Sequence, residues 1–213
     1  NPMNSWDKKD SGYGCEDKLC WKACKFSPEW CGNGQKYVLG ESDHSLMQRL
    51  SNAGTEHRKY MRMMPVYVRI TAPLYWWKEF DTYKIGTVAN SCSTMHKIAE
   101  KELEWDDFSI ENLDPYYLKQ FECTIHSLNQ MRNDYNGLKK GNKFKRISWY
   151  SMIQLLPSSY NQTRNVMMNY EVLANIYKQR KNHKLDEWRE FCKWIEELPY
   201  SELITGKEGQ VNG

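Results

Sequence analysis

Hydrophobic residues along this 213-residue chain mostly recur three and four positions apart, which is the period of an α-helix. Val66, Val68 and Ile70 instead alternate with residues of the opposite kind, which predicts a half-buried strand ending at Pro73. Residues 86–93 are small and polar and are predicted to form a loop. The pattern therefore predicts an α+β fold that is rich in helix. The predicted helices cover residues 43–64 with a break near Gly54, 74–84, 94–104, 147–156, 161–180 and 184–197, and another opens at Asn112–Pro115.

The pattern also divides the chain into a Gly- and Cys-rich N-terminal lobe (1–40), a main domain (41–200) and a flexible tail (201–213), of which residues 205–213 have no apolar period. Four cysteines of the lobe are candidate zinc ligands: Cys15, Cys20, Cys24 and Cys31. Their spacing differs from the paired Cys-x-x-Cys of common zinc sites, so zinc, free thiols and a single disulfide all stay open. The total of seven cysteines is odd, which favours a reducing, cytoplasmic compartment. Cys92, Cys123 and Cys192 are predicted to be core thiols.

Composition narrows the classes of function. The formal net charge is only +3, which does not predict binding to a nucleic-acid polymer. No run of eighteen apolar residues exists in the sequence, so no membrane span is predicted. Residues 136–146 carry five Lys and Arg residues and are predicted to be a solvated connector.

The predicted helix 161–180 combines apolar residues with hydrogen-bonding side chains. Asn169, Leu173, Ile176 and Arg180 are spaced four, three and four apart, so a helix would place them on one face. Such a face could form the floor of a small-molecule site, and the alternative is an ordinary amphipathic helix with polar ends. Arg180 could pair with an imide oxygen or a phosphate, or only with the C-terminal end of the helix dipole.

Two more clusters could bind phosphate. His57, Arg58 and Arg62 fall within two turns of the predicted helix 43–64, either as a phosphate site or as a solvated basic face. The small-residue segment that follows residue 83 supplies hydroxyl, amide and amine groups, although it lacks a strict glycine-rich cradle. Its candidate residues are Lys84, Thr87, Asn90 and Ser93, and Tyr83 beside them could stack on a ring or pack in the core.

Two segments resemble flavin-dependent thymidylate synthases. Counting without gaps from Leu156-Pro157, residues Asn169, Leu173, Asn175 and Arg180 match the Asn, Leu, Asn and Arg of the family's long helix, and His183 is displaced by one from its His. The segment Thr71–Thr87 resembles the family's strand, proline and aromatic helix. Counting from Pro73 aligns Thr82-Tyr83-Lys84 with the Arg-His-Arg motif that binds flavin and nucleotide, and Thr87 with its Ser. With one inserted residue, Asn90 and Ser93 fall on the Asn and Ser that end the motif.

The resemblance implies a thymidylate synthase-like domain with a small mixed or antiparallel sheet, assembled as a homotetramer with its sites at subunit interfaces. It implies FAD as cofactor and transfer of a one-carbon unit from methylenetetrahydrofolate to a uracil nucleotide, dUMP. Arg180 would hold and polarise the base as the catalytic residue. The cofactor-binding residues would be Lys84, Thr87, Asn90, Ser93, Asn169, Asn175 and His183, and the substrate-binding residues His57, Arg58, Arg62, Tyr83 and Arg180.

The chain departs from this family where phosphate and flavin are held, because Thr82-Tyr83-Lys84 replaces Arg-His-Arg and Ile153 and Glu171 replace two arginines. A second hypothesis is therefore a non-catalytic binder that sequesters a nucleotide or a cyclic-nucleotide signal, as a phage anti-defence sponge would. A third is that the N-terminal cysteine lobe makes the chain a protein-interaction or metal-stabilised module.

Overall fold

The computed structural model describes residues 10–14 and 36–206. The strands are β1 (Gly12–Gly14), β2 (Lys36–Val38), β3 (Pro65–Pro73), β4 (Val88–Ser91) and β5 (Asn161–Asn169). The α-helices are α1 (Glu41–Asn52), α2 (Leu74–Phe80), α3 (Thr94–Lys97), α4 (Leu118–Gly137), α5 (Lys143–Leu155), α6 (Tyr170–Arg180), α7 (Asp186–Glu196) and α8 (Glu202–Thr205). Short 3₁₀ helices span Lys59–Met63, Trp105–Asp107 and Pro115–Tyr117.

The described residues fall into two compact units. Unit 1 takes its residues from Asn1–Pro65, Asn169–His183 and Arg189–Gly213, and unit 2 comprises Val66–Met168 and Lys184–Trp188. Strands β1 and β2 form an antiparallel pair in unit 1. No helix of the described residues is both long and apolar enough to cross a membrane.

A three-stranded sheet with the order β3-β5-β4 organises unit 2. Strand β4 pairs antiparallel with β5, with Val88 opposite Met167 and Ser91 opposite Arg164. Side-chain hydrogen bonds join Arg69 to Asn165 and Thr71 to Thr163. Residue numbers therefore rise along β3 while they fall along β5, so these two strands are antiparallel as well. The predicted alternation of β3 is confirmed, since its residues are exposed and half-buried in turn.

Two sequence predictions around this sheet are wrong. The first half of the predicted helix 161–180 is strand β5, in which Val166 and Met168 are buried and alternate with less buried neighbours. As the central strand, β5 is stabilised by hydrogen bonds to β3 and β4, which outweigh the local helical pattern. The predicted loop 86–93 contains strand β4, which lacks a hydrophobic alternation because all four of its residues are exposed.

Several helix boundaries also differ from prediction. Helix α1 ends at Asn52 and is followed by Gly54, whose φ of 109° does not continue a helix. Helix α3 ends at Lys97 instead of continuing to residue 104, and α5 begins at Lys143, inside the predicted connector. The helix start predicted at Asn112–Pro115 is confirmed in part: Asp114 accepts a hydrogen bond from the Tyr116 backbone N at 2.9 Å, and Pro115 begins the 3₁₀ turn before α4.

The core of unit 2 contains an aromatic cluster in which Trp76, Trp77 and Trp188 are each at most 1% exposed. The Trp188 ring lies 4.6 Å from the Trp76 ring, and its indole Nε1 donates to a Glu79 carboxylate oxygen at 3.0 Å. Burying these large rings is a major source of stability for the unit. Two smaller clusters contain Leu103, Phe108, Ile125 and Leu128, and Ile98, Ala99 and Met152.

The core of unit 1 is built around α6, which packs against α8 and the 3₁₀ turn Lys59–Met63. Leu173 and Ile176 of this helix are fully buried, as is Ile195 of α7. In α7, Trp188, Cys192 and Ile195 are spaced four and three apart and are at most 4% exposed, so they form the buried stripe of this helix.

Candidate functional site

The junction of β5 and α6 carries Asn169, which the sequence placed inside a helix. Asn169 is the N-cap of α6, and its side-chain oxygen accepts a hydrogen bond from the Val172 backbone N at 3.0 Å. Arg180 ends the same helix, so at 1.5 Å per residue about 16 Å of helix axis separates the two. Leu173 and Ile176 between them are fully buried. The predicted shared face is therefore core, with a cap at one end and a cation at the other.

Arg180 forms a defined contact at the C-terminal end of α6. Its Nη1 lies 2.9 Å from Nε2 of His183. Because a guanidinium only donates, Nε2 of His183 is the acceptor in this contact. The His183 backbone oxygen accepts from Arg189 Nη1 at 2.8 Å. Arg180 is half-buried, so its orientation is restrained while part of its surface stays accessible.

Asn175 lies on the same helix but on another side. It is exposed, and its side-chain oxygen accepts from Gln179 Nε2 at 2.8 Å.

The basic cluster around Arg58 has a different geometry from the one the sequence suggested. Residues 59–63 form a 3₁₀ helix, whose three residues per turn rotate Arg62 away from the face of Arg58. Arg58 Nε lies 2.9 Å from Glu171 Oε2, and the two side chains are 23% and 15% exposed. Glu171 stands where the resemblance expects an arginine, and its carboxylate neutralises the charge of Arg58. His57 and Arg62 are exposed.

The candidates in unit 2 surround the end of α2 and the strand β4. Tyr83 is 7% exposed, and its ring packs against Phe80 and Trp188, so it belongs to the aromatic core. Thr87 Oγ1 donates to the Tyr83 backbone oxygen at 2.6 Å, which stabilises the turn. Lys84 and Ser93 are exposed.

Asn90 lies on β4 beside a shallow depression in the sheet, with a volume of about 590 Å³. Asn90 pairs with Asn165 on β5, and Asn165 Oδ1 accepts from Arg69 Nε at 3.1 Å. The row of two amides and a guanidinium offers donors suited to anionic or carbonyl oxygens. Arg69 and Asn165 were not among the candidate residues predicted from the sequence. The exposed phase of the β3 alternation could have identified Arg69, whereas Asn165 was hidden by the incorrect helix.

The cysteines give no metal site within the described residues, where no group of three or more His, Cys, Asp or Glu side chains could hold an ion. Cys15, Cys20, Cys24 and Cys31 lie outside those residues, so zinc there stays a prediction. Cys92 and Cys123 are exposed, and the core-thiol prediction is wrong for both because their positions face solvent. It is confirmed for Cys192, whose pKa is raised to about 11 by burial and by the nearby Glu196 carboxylate.

Comparison with solved structures identifies the architecture. A crystal structure of flavin-dependent thymidylate synthase ThyX from Helicobacter pylori, complexed with FAD and dUMP, matches with a TM-score of 0.53 and 19% identity over 88% of each chain. The chain has a ThyX-like fold. A second structure of the H. pylori enzyme with FAD and dUMP, at 2.31 Å resolution, matches with a TM-score of 0.54 and 17% identity over 88% of this chain and 87% of that one. No family model and no curated protein matches the sequence.

At this identity the likeness concerns the fold alone. It supports the α+β architecture and the small antiparallel sheet expected from the resemblance of the segments around Pro73 and Pro157. The roles of individual residues rest on the geometry of this chain.

Proposed function

We propose that this chain is a nucleotide-binding protein in which Arg180 contacts a uracil-type base. The observation that carries the proposal is the hydrogen bond between the half-buried Arg180 guanidinium and His183, which holds a planar donor at a helix end. The proposal is also supported by the ThyX-like fold, since the matching H. pylori enzyme was solved with dUMP. A guanidinium is suited to this role because it stays charged and donates to carbonyl or phosphate oxygens in a fixed geometry.

The activity implied by the likeness is transfer of a one-carbon unit to the uracil ring, with FAD supplying a hydride. The residues aligned with the flavin motif do not fit that cofactor well. Thr82 Oγ1 donates to the Glu79 backbone oxygen at 2.7 Å, and Tyr83 is buried in the aromatic core. Lys84 supplies the one cation of the three, as a point charge instead of a planar fork.

A second candidate function is nucleotide sequestration without catalysis. The burial of Tyr83 favours it, because this residue stands at the centre of the motif and packs inward. A protein of this kind would keep Arg180 and the nucleotide while lacking the flavin.

The proposal is tested by titrating dUMP into the wild type and into Arg180→Ala by calorimetry. We expect Arg180→Ala to weaken binding by at least about tenfold, because a hydrogen bond from a charged group contributes roughly 1.5–3 kcal/mol. Lys178→Ala is the matched control, since it removes an exposed cation from the same turn of α6 and should leave the affinity unchanged. Equal affinity in wild type and Arg180→Ala, with both folded by circular dichroism, would refute the role of Arg180.

The visible spectrum of the purified protein, before and after addition of FAD, separates the two candidate functions. The sequestering function predicts a colourless protein that takes up no flavin while it still binds dUMP. A yellow protein that releases flavin on denaturation would instead support the enzyme. We further propose a homotetramer, to be checked by light scattering of the full chain.

A further inference from the structure

A second cleft lies in unit 2, at the turn that joins α4 to α5. It has a volume of about 590 Å³, within the range of small-molecule sites. Its walls come from α3 and the residues just after it, from the end of α4, from the turn, and from the first two turns of α5. None of its lining residues belongs to the Arg180 cluster or to the other candidate residues discussed above.

Positive side chains dominate one wall of this cleft. Lys140, Lys143, Lys145 and Arg146 all line it, and none forms an ion pair with a carboxylate anywhere in the described part of the chain. The first turn of α5 adds the positive end of a thirteen-residue helix dipole. Four like charges at one turn repel each other, so an anion that enters between them is stabilised.

One of these cations is held by a backbone oxygen, and the other three are exposed. Lys145 is half-buried, its Nζ donates to the Leu138 backbone oxygen at 2.8 Å, and it lies 4.4 Å from the centre of the Tyr135 ring. Lys140, Lys143 and Arg146 are exposed. The Lys143 Nζ lies 5.2 Å from the centre of the Phe144 ring and the Arg146 guanidinium 5.3 Å from the centre of the Tyr150 ring, which are weak restraints at exposed positions. The cleft therefore combines a fixed positive charge with adjustable ones at its rim.

Trp149 supplies an aromatic surface in the same cleft. Its indole Nε1 donates to the Met95 backbone oxygen at 2.9 Å, which fixes the ring, and the side chain is only half-buried. Lys143, Arg146 and Trp149 are spaced three apart on α5, so they follow one another along a face of this helix. The two cations therefore lie on the same helix as the tryptophan, about 4.5 and 9 Å from it along the axis at a rise of 1.5 Å per residue.

We propose that this cleft binds a nucleotide, with the base stacked on Trp149 and the phosphates held by Lys143, Arg146 and Lys140. Stacking on an aromatic ring accepts any base, and amine and guanidinium donors bind phosphate strongly when it is brought next to them. The class of ligand follows from the presence of both the Trp149 ring and the cations. A bare anion would not contact the ring, and a neutral aromatic ligand would not pair with the cations.

A single nucleotide fits the observations better than a polymer. The unpaired cations are confined to one turn and one helix face, and the whole chain has a net charge of only +3. A strand of nucleic acid would require a longer basic track.

The test uses ADP as the probe and the full chain carrying Arg180→Ala, so that the site of the proposed function is removed. In that background we expect ADP to bind by calorimetry at physiological ionic strength. The double substitution Lys143→Ala/Arg146→Ala should weaken ADP by at least about tenfold, because two phosphate contacts are lost. Trp149→Leu should weaken it too, and pyrophosphate should bind at least about tenfold more weakly than ADP. Lys119→Ala on α4 is the matched control and should have no effect, because Lys119 does not line the cleft.

The exposed positions of Lys143 and Arg146 make the double variant a fair test, since its removal of surface charge leaves the core intact and circular dichroism can verify the fold. The proposal is overturned by absence of ADP binding, by equal affinity in the double variant, or by pyrophosphate binding as tightly as ADP. Preference for a short single-stranded oligonucleotide over ADP would overturn it in favour of a polymer. Loss of dUMP binding in Arg180→Ala, by contrast, concerns only the proposed function.

Discussion

The hydrogen bond between Arg180 and His183 depends on a single acceptor atom, Nε2 of the imidazole. Removing that acceptor would take away this restraint on the guanidinium without removing its charge. We therefore expect His183 to act as a positioning residue in dUMP binding, with a smaller contribution to the affinity than that of Arg180.

We predict that His183→Leu weakens dUMP binding by about three- to tenfold, the equivalent of one ordinary hydrogen bond of about 1 kcal/mol. His183→Gln supplies a side-chain oxygen that can again accept from Arg180, and it should recover most of the loss. Calorimetry on the two variants checks this. A loss in His183→Gln as large as in His183→Leu would argue against the positioning role.

The structural role of a single residue could be predicted where its contacts are with residues close to it in the sequence. Asp114 caps a helix through a contact two residues away, and its role could be inferred from Asp-Pro alone. Tyr83 could be assigned only as core or stacking residue, because its partner Trp188 lies 105 positions away. Arg58 likewise paired with Glu171 through a contact that no local pattern reveals.

At the scale of elements, the transition from β5 to α6 occurs at Asn169, where the backbone leaves the extended conformation. The side chain of Asn169 satisfies the Val172 backbone N–H, one of the donors that a helix start leaves unpaired.

We predict that Asn169→Ala lowers the free energy of unfolding by about 1 kcal/mol, the usual effect of losing an N-cap, while Asn169→Asp retains the stability. Asn175→Ala is the control on the same helix and should change stability by only a few tenths of a kcal/mol. Urea denaturation followed by circular dichroism measures all three. Equal stabilities of Asn169→Ala and wild type would contradict the cap.

Strands β5 and β4 were not predicted from the sequence, for two different reasons. Strand β5 has Val166 and Met168 in a period of two, but the surrounding residues also fit a helical period, and only pairing with β3 and β4 decides between them. Strand β4 is an exposed edge strand, so its residues carry no inward-facing apolar positions at all. Pairing between distant segments is the information that a single sequence lacks.

At the scale of the whole molecule, the resemblance of two short segments was enough to anticipate an architecture that matches ThyX over 88% of the chain. The segments around Pro73 and Pro157 succeed because they contain turns that join β3 to α2 and α5 to β5. The basic cleft was not anticipated, because residues 136–146 appear as a solvated connector until α3 and Trp149 are seen to enclose it.

Buried tyrosines make the free energy of unfolding depend on pH in the alkaline range. Burial raises the pKa of Tyr60 and of Tyr170 to about 12, while their hydroxyls donate to the Met47 and Pro199 backbone oxygens. In the unfolded chain a tyrosine has a pKa of about 10. The stabilisation is therefore fully present below about pH 10 and is lost as the pH rises towards 12.

We predict that the free energy of unfolding falls between about pH 10 and pH 12, by an amount of order 1–3 kcal/mol for each of these tyrosines. Tyr170→Phe should reduce the slope of this fall, whereas Tyr116→Phe should not, because Tyr116 is 83% exposed. Urea denaturation at a series of alkaline pH values measures the slope. An unchanged slope in Tyr170→Phe would contradict the assignment.

The central claim, that Arg180 receives a nucleotide base, is tested most directly by a crystal structure of the chain grown at a dUMP concentration that saturates it in calorimetry. The account predicts a uracil ring with an oxygen within about 2.7–3.1 Å of an Arg180 guanidinium nitrogen. Well-defined dUMP bound away from Arg180, or an Arg180 that keeps only its protein partners under these conditions, would contradict the claim.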